Sequence, residues 1–225
     1  SLFCIKGVHC MYKKYIPFLL LLISTLSFGQ NIHFQAIGVE NGISQPIVTS
    51  IYQDEFGIIW IGTKDGLNRY NGTDFHIFRP IENDKNSLYN NNIGTICGDK
   101  NGHIYIRCKY AVVEYDIRKN IFHTIRNNNI QAIDYGNSRL WVCTRDSLFT
   151  YNRKEDKLEY YYHLDSVRIS CVTEDHEGNL YVGTMNKGLY IIDSNKKWLN
   201  YLPEKDITCI YEDSKKNIWV GTKDD

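Results

Sequence analysis

Hydrophobic and polar residues alternate in short bursts along this chain. "IVTSIYQDEFGIIWIGTKDGLNRYNGTDFHIF" contains four apolar-alternating runs, each too short for a helix and each bounded by Gly, Asn or Asp. The first two runs, "IVTSIYQ" and "IIWIG", predict adjacent strands joined by an Asp-x-x-Gly turn. In such a turn the Asp side chain accepts bonds from the following backbone and Gly takes a positive φ. "KDGLNRYN" turns into a third strand, and after Asn71-Gly72 "DFHIF" supplies a fourth.

The same unit returns in weakened form as "DKNGHIYIRC", "YGNSRLWVCT", "DHEGNLYVGT" and "DSKKNIWVGT". Aligned on the aromatic that opens the second run, the copies place Trp60, Tyr105, Trp141, Tyr181 and Trp219 at intervals of 45, 36, 40 and 38 residues. A period near forty is the signature of a β-propeller. A four-stranded antiparallel sheet that is apolar on both faces cannot hide its surface from water alone, so neighbouring sheets must stack on it, with the aromatic anchors in the contacts. Gly62 and Gly183 are expected to remove a side chain where a neighbouring backbone comes close.

The fold class is therefore all-β, a propeller with about four to five four-stranded blades present, read as an incomplete part of a larger ring. Blades are expected over 47–79, 92–126, 129–162 and 168–202, with a partial one over 207–225 and a stray closing strand over 31–38.

Ahead of the repeats, "MYKKYIPFLLLLISTLSFGQ" has two lysines, thirteen residues of mainly apolar character from Ile16 to Phe28, and small residues at Ser27 and Gly29. This is the layout of a secretory signal peptide over 11–29, shorter than the ~20 residues of a spanning helix, with cleavage expected after Gly29. An uncleaved anchor is the alternative. Residues 1–10 read as upstream remnant. The mature propeller then runs from 30 to 225, in an exported protein.

Composition narrows the chemistry. Twenty-six basic and 26 acidic side chains cancel, and no Lys/Arg cluster marks a nucleic-acid surface. Past the leader, five cysteines at 97, 108, 143, 171 and 209 include no C-x-x-C pair, so they are read as buried apolar residues on strands rather than as disulfides or a zinc site. No H-E-x-x-H, G-x-S-x-G or P-loop motif occurs. His76 and His123 each follow a Phe on a fourth strand and should face solvent. Asp54, Asp99, Asp175 and Asp213 share one repeat position, which makes them turn formers rather than a catalytic pair. No catalytic residue, cofactor or metal is expected.

In a four-stranded meander the turn between strands two and three shares a rim with the connection to the next blade, and specificity should collect there. The candidate ligand-binding residues are Arg107, Tyr110, Arg145, Lys64 and Asp65, the first three because blades two and three break the repeat pattern nearby. A Tyr with Arg side chains suits stacking on and hydrogen bonding to sugars.

"DEFGIIWIGTKDGLNRYNGTDFHIF" followed by "NDKNSLYNNNI", with "VENGISQPIV" ahead of it, resembles the two-component regulator propeller repeat. The resemblance spans about 30 to 225, although "IRCKYAVVEY" in blade two departs from the pattern. It implies the periplasmic sensor part of a Bacteroidetes-type hybrid two-component system. The complete form of such a protein has two seven-bladed propellers, a β-sandwich, a membrane helix, a histidine kinase, a receiver and a DNA-binding domain. It further implies an oligosaccharide ligand, control of glycan-utilisation genes and a homodimeric parent. The repeat motif is structural, so it carries over no ligand residue. A secreted propeller lyase or glycosidase, or a protein-interaction scaffold, are the alternatives.

Overall fold

The computed structural model describes residue 34, residues 36–126 and residues 128–223. The expected signal peptide and the remnant before it lie outside the described residues. Of the expected closing strand over 31–38, residues 34 and 36–38 are described, and they form no strand.

Four antiparallel four-stranded sheets and one two-stranded sheet follow one another in chain order. The first comprises β1 (Val48–Gln53), β2 (Ile59–Thr63), β3 (Gly66–Tyr70) and β4 (Phe75–Phe78), and the second β5 (Ile93–Gly98), β6 (His103–Cys108), β7 (Ala111–Asp116) and β8 (Ile121–Arg126). The third comprises β9 (Ala132–Gly136), β10 (Arg139–Cys143), β11 (Ser147–Asn152) and β12 (Lys157–His163). In the fourth are β13 (Ile169–Glu174), β14 (Leu180–Thr184), β15 (Leu189–Ile192) and β16 (Trp198–Tyr201), and the last pairs β17 (Ile207–Glu212) with β18 (Ile218–Thr222). Each complete sheet is a meander, its strands paired in sequence order. The first strands pack on one another, β1 on β5, β5 on β9, β9 on β13 and β13 on β17, so they form the inner edge of a stack of propeller blades.

The Asp-x-x-Gly turns form for the reason the sequence suggests. Asp54 Oδ1 accepts the backbone N–H of Phe56 and of Ile58, both at 2.9 Å, and Gly57 takes φ 81°. Asp99, Asp175 and Asp213 repeat this arrangement. Two copies solve the turn differently. In the third sheet Asn137 (φ 41°) and Ser138 (φ 65°) make a two-residue hairpin between Gly136 and Arg139, and in the fifth Lys216 occupies the glycine position at φ 70°. Two consecutive left-handed residues match the twist of paired strands, which is why Asn is accepted there.

Three apolar clusters fill the seams between the four complete sheets. Trp60, Leu67, Ile93, Ile104 and Ile106 join the first two sheets, and Tyr105, Val112, Ile133, Leu140 and Val142 join the second and third. Trp141, Leu148, Ile169, Leu180, Val182 and Ile192 join the third and fourth. The anchors face the following sheet: Trp60 meets Tyr115 edge-on at 5.4 Å between ring centroids, and Tyr105 stacks on Tyr135 at 5.6 Å. Tyr181 is half-buried. Trp219 is the exception, 63% exposed, because among the described residues no sheet covers the face it projects from.

Gly62 and Gly183 do mark close approaches, but the neighbour is a side chain rather than backbone. A Cβ at Gly62 would stand 2.6 Å from Ile93 Cγ2, and one at Gly183 2.7 Å from Ile207 Cγ2. In both cases the isoleucine opens the next sheet's first strand, so the glycine is the hole into which the next blade's first apolar residue fits.

Cys97, Cys108 and Cys143 are buried as expected, and burial pushes the Cys108 thiol up to about 12. Cys209 departs from that reading: it is exposed, on the open fifth sheet. All five are free thiols.

Candidate functional site

The β2–β3, β6–β7, β10–β11 and β14–β15 turns are tied to the inter-blade connections by backbone hydrogen bonds. Gly66 donates to Asn91 O at 2.7 Å, Lys109 to Asn92 O at 2.9 Å, Ile169 to Arg145 O at 2.7 Å and Met185 to Arg168 O at 2.8 Å. These segments therefore share one rim, held by the same strand geometry that builds the sheets.

The five residues singled out in the sequence occupy different surroundings on and near this rim. Lys64 is exposed in the β2–β3 turn, where its N–H donates to Gln45 Oε1 at 3.2 Å. Asp65 beside it is already engaged: Arg79 Nη2 donates to its Oδ2 at 2.8 Å and Asn91 Nδ2 to its Oδ1 at 3.2 Å. The Arg79 hydrogen bond holds the Asp65 carboxyl below the usual carboxylate range. Tyr110 is in the β6–β7 turn at φ 73°, 55% exposed, with Lys109 Nζ 5.0 Å from its ring centroid.

Arg107 is on strand β6 and not in a turn. It replaces the glycine found at Gly62 and Gly183, and its Nε donates to Thr95 Oγ1 at 3.3 Å. The substitution is matched on the partner strand, because the guanidinium fills the space that a Cβ at Gly94 would need. Burial lowers the Arg107 pKa. Among the described contacts, nothing brings Arg107, Tyr110 and Arg145 together.

Arg145 does belong to a concave site. It lines a cavity of about 610 Å³ between the β10–β11 turn, the 164–168 connection and the β14–β15 turn, shared with Ser166, Arg168, Met185, Asn186 and Lys187. A second hollow of about 320 Å³ adjoins it, where Arg145 and Arg168 meet Asn129 and Gln131. Volumes of this size suit a small-molecule ligand. Lys187 lies in the β14–β15 turn, one of the turns where specificity was expected, whereas Arg168 escaped the sequence analysis as a site residue. Arg168 stands just before β13, outside the repeat motif, and its one sequence signal was adjacency to the start of a first strand.

On the outer side, the long 79–92 connection drives Leu88 into the first seam and leaves a cavity of about 480 Å³ bordered by His76, Arg79, Asp84 and Phe122. The guanidinium there is spent on Asp65. His76 and His123 are solvent-exposed on fourth strands, and His123 Nε2 lies 2.8 Å from Asp156 Oδ1. Among the described residues no His, Cys, Asp and Glu group is arranged to hold a metal ion, and no helix is long and apolar enough to cross a membrane.

Comparison with known proteins places this geometry. A family model described as "Two component regulator propeller" matches residues 41–65, 163–186 and 201–224. The extracellular domain described as that of a hybrid two component system from B. thetaiotaomicron superposes with a TM-score of 0.72 at 27% identity, over 84% of this chain and 29% of that one. "Histidine kinase P4" of Formosa agariphila is 38% identical over 73 residues, 32% of this chain and 5% of that protein. The chain thus spans less than a third of the length of either relative. Virginiamycin B lyase from Staphylococcus aureus shares the fold at 13% identity, with a TM-score of 0.64 over 80% of this chain and 65% of that one. With its repeating sheets and their aromatic seams, the chain is thus similar to the two component regulator propellers, the matched segments lying over the first, fourth and fifth sheets.

Proposed function

We propose that this chain is part of the periplasmic sensor of a hybrid two-component system, and that it recognises oligosaccharides at the rim carrying the strand-two to strand-three turns. The observation that carries the reading is the likeness, at 27% identity over 84% of the chain, to an extracellular domain of such a system. The rim supports it further. It is the part of each blade where the repeat varies, and between the third and fourth blades it is hollow and lined by hydrogen-bonding side chains.

Export would use the apolar leader over 11–29, and the kinase would belong to the longer parent protein, acting as a homodimer anchored by its own membrane helix. Sugar binding would regulate glycan-utilisation genes by favouring one of two arrangements of that dimer, through differential affinity for the two. The chain's own contribution is recognition, with no bond made or broken.

Calorimetric titration of the purified full chain with a panel of neutral and charged oligosaccharides tests this. Saturable binding by one sugar class, weakened by substitutions in the β10–β11 and β14–β15 turns, is the expected result. Absence of binding across the panel would overturn the reading. Cleavage products detected by chromatography would replace it with a propeller lyase or glycosidase.

A further inference from the structure

The rim cavity between the third and fourth blades concentrates cations that the fold itself does not use. Several arginines elsewhere are tied down: Arg79 to Asp65 at 2.8 Å, Arg139 to Glu174 at 3.0 Å and Arg153 to Glu114 at 2.8 Å. Arg126 lies over the Phe149 ring at 5.3 Å. Arg145 and Arg168 are both exposed, line both hollows, and have no side-chain partner among the described residues; Lys187 adds a third positive group to the larger one. In a chain of zero formal charge, this is a local excess and not a reflection of overall composition.

The acidic groups nearby are already committed. Asp146 also lines the larger cavity, but its Oδ1 accepts the Ser147 hydroxyl at 2.9 Å and lies 3.7 Å from His163 Nδ1. Asp206 accepts the Asn186 N–H at 2.6 Å. The walls are positioned by backbone bonds from Ile169 to Arg145 O and from Met185 to Arg168 O, so the two arginines stand side by side on adjacent strand-linked segments. Amide and hydroxyl groups of Gln131, Asn129, Asn186 and Ser166 surround them.

We infer that this cavity binds a carbohydrate bearing an anionic group, a carboxylate or a sulfate ester, with the Arg145 and Arg168 guanidinium forks on the anion and the amides and hydroxyl on the sugar. The inference rests on the oligosaccharide-sensing reading above and narrows its ligand class. Two guanidinium groups offer paired N–H donors matched to oxyanions, an arrangement that a neutral sugar does not need. Lys187 contributes as a point charge, and the whole attraction is screened by salt.

Titrations of the full chain with three probes test it: trigalacturonic acid for the carboxylate, neocarrabiose 4-sulfate for the sulfate, and maltotriose as the neutral control. At 50 mM salt, one charged probe should bind at least tenfold more tightly than maltotriose. Arg145→Ala with Arg168→Ala should weaken that probe at least tenfold, while Arg118→Ala, at the opposite rim, leaves it unchanged. Whichever charged probe wins identifies the anion. Thermal denaturation of the double variant, expected to match the parent chain, separates lost binding from lost folding.

Tighter binding of maltotriose than of either charged probe, with no effect of the double variant, would overturn the anionic inference and leave the oligosaccharide reading standing. Equal weakening by Arg118→Ala would overturn it too, by showing diffuse charge attraction. Failure of all three probes and of the wider panel would remove both.

Discussion

Trp60 and Trp219 occupy the same repeat position and make the same local bond, yet they end in opposite environments. Each donates its indole N–H to the turn aspartate of its own hairpin, Trp60 to Asp54 Oδ2 at 2.8 Å and Trp219 to Asp213 Oδ2 at 2.9 Å. Each also stands opposite a tyrosine in register, Tyr52 and Tyr211. Trp60 is fully buried beneath the second sheet, whereas Trp219 and Tyr211 are 63% and 65% exposed on the fifth. The hairpin is thus specified by residues a few positions apart, and burial is conferred by the neighbouring sheet. Stability in such an array divides into a local part and an interface part.

The largest expected effect follows from that division. Trp60→Ala should cost about 3–5 kcal/mol by emptying the first seam, whereas Trp219→Ala should change stability by no more than about 0.5 kcal/mol. Urea denaturation of the two variants measures the difference, and equal losses would break the comparison.

Trp141 sharpens it, because its indole bonds across the seam. Its N–H donates to Glu174 Oε2 of the next sheet at 2.8 Å, and the Glu174 side chain is 1% exposed, with Arg139 on its other oxygen. Trp141→Phe keeps most of the packing but leaves a buried carboxylate oxygen without its donor, an expected loss of about 1–3 kcal/mol. The same denaturation experiment reads it. A neutral outcome would mean that Arg139 alone satisfies Glu174.

A smaller gain is expected at the fifth sheet's turn. Lys216 holds the positive φ that Gly57, Gly102 and Gly178 hold in its counterparts, so Lys216→Gly should stabilise the hairpin by about 0.5–1 kcal/mol, seen as a rise in Tm.

The smallest effect is electrostatic. The Trp219 N–H, with help from Asn217, pulls the Asp213 carboxyl down to about 2. A folded pKa below the unfolded value of ~3.9 gives stabilisation that is complete above that value and is lost as pH falls toward 2. Carboxyl-carbon NMR should place the midpoint near 2 and show it rising in Trp219→Phe. An unchanged midpoint would dissociate the indole from the carboxylate.

The same division explains what could be read from the residues alone. Anchor spacing, the Asp-initiated turns and the strand order are local or periodic, and the sheets appear where those patterns lie. The exposure of Trp219 and Cys209 was illegible, because it depends on what covers a face and not on the face itself. Arg107 looked like a disruption of blade two, but Gly94 on the paired strand makes room for it, a compensation visible only once register is known. At the rim, Arg145 was legible because it sits in a turn of the repeat. Arg168 was not, because a connection between blades has no fixed place in the period.

Hydroxyl-radical footprinting of the intact chain, read by mass spectrometry at individual side chains, tests most directly whether the recurring aromatics are sealed between stacked sheets. Trp60 and Trp141 should be protected, with Trp219 and Tyr211 modified many times faster. Equal modification rates at Trp60, Trp141 and Trp219 would contradict the stacked-blade architecture and, with it, the rim on which the proposed sugar site is built.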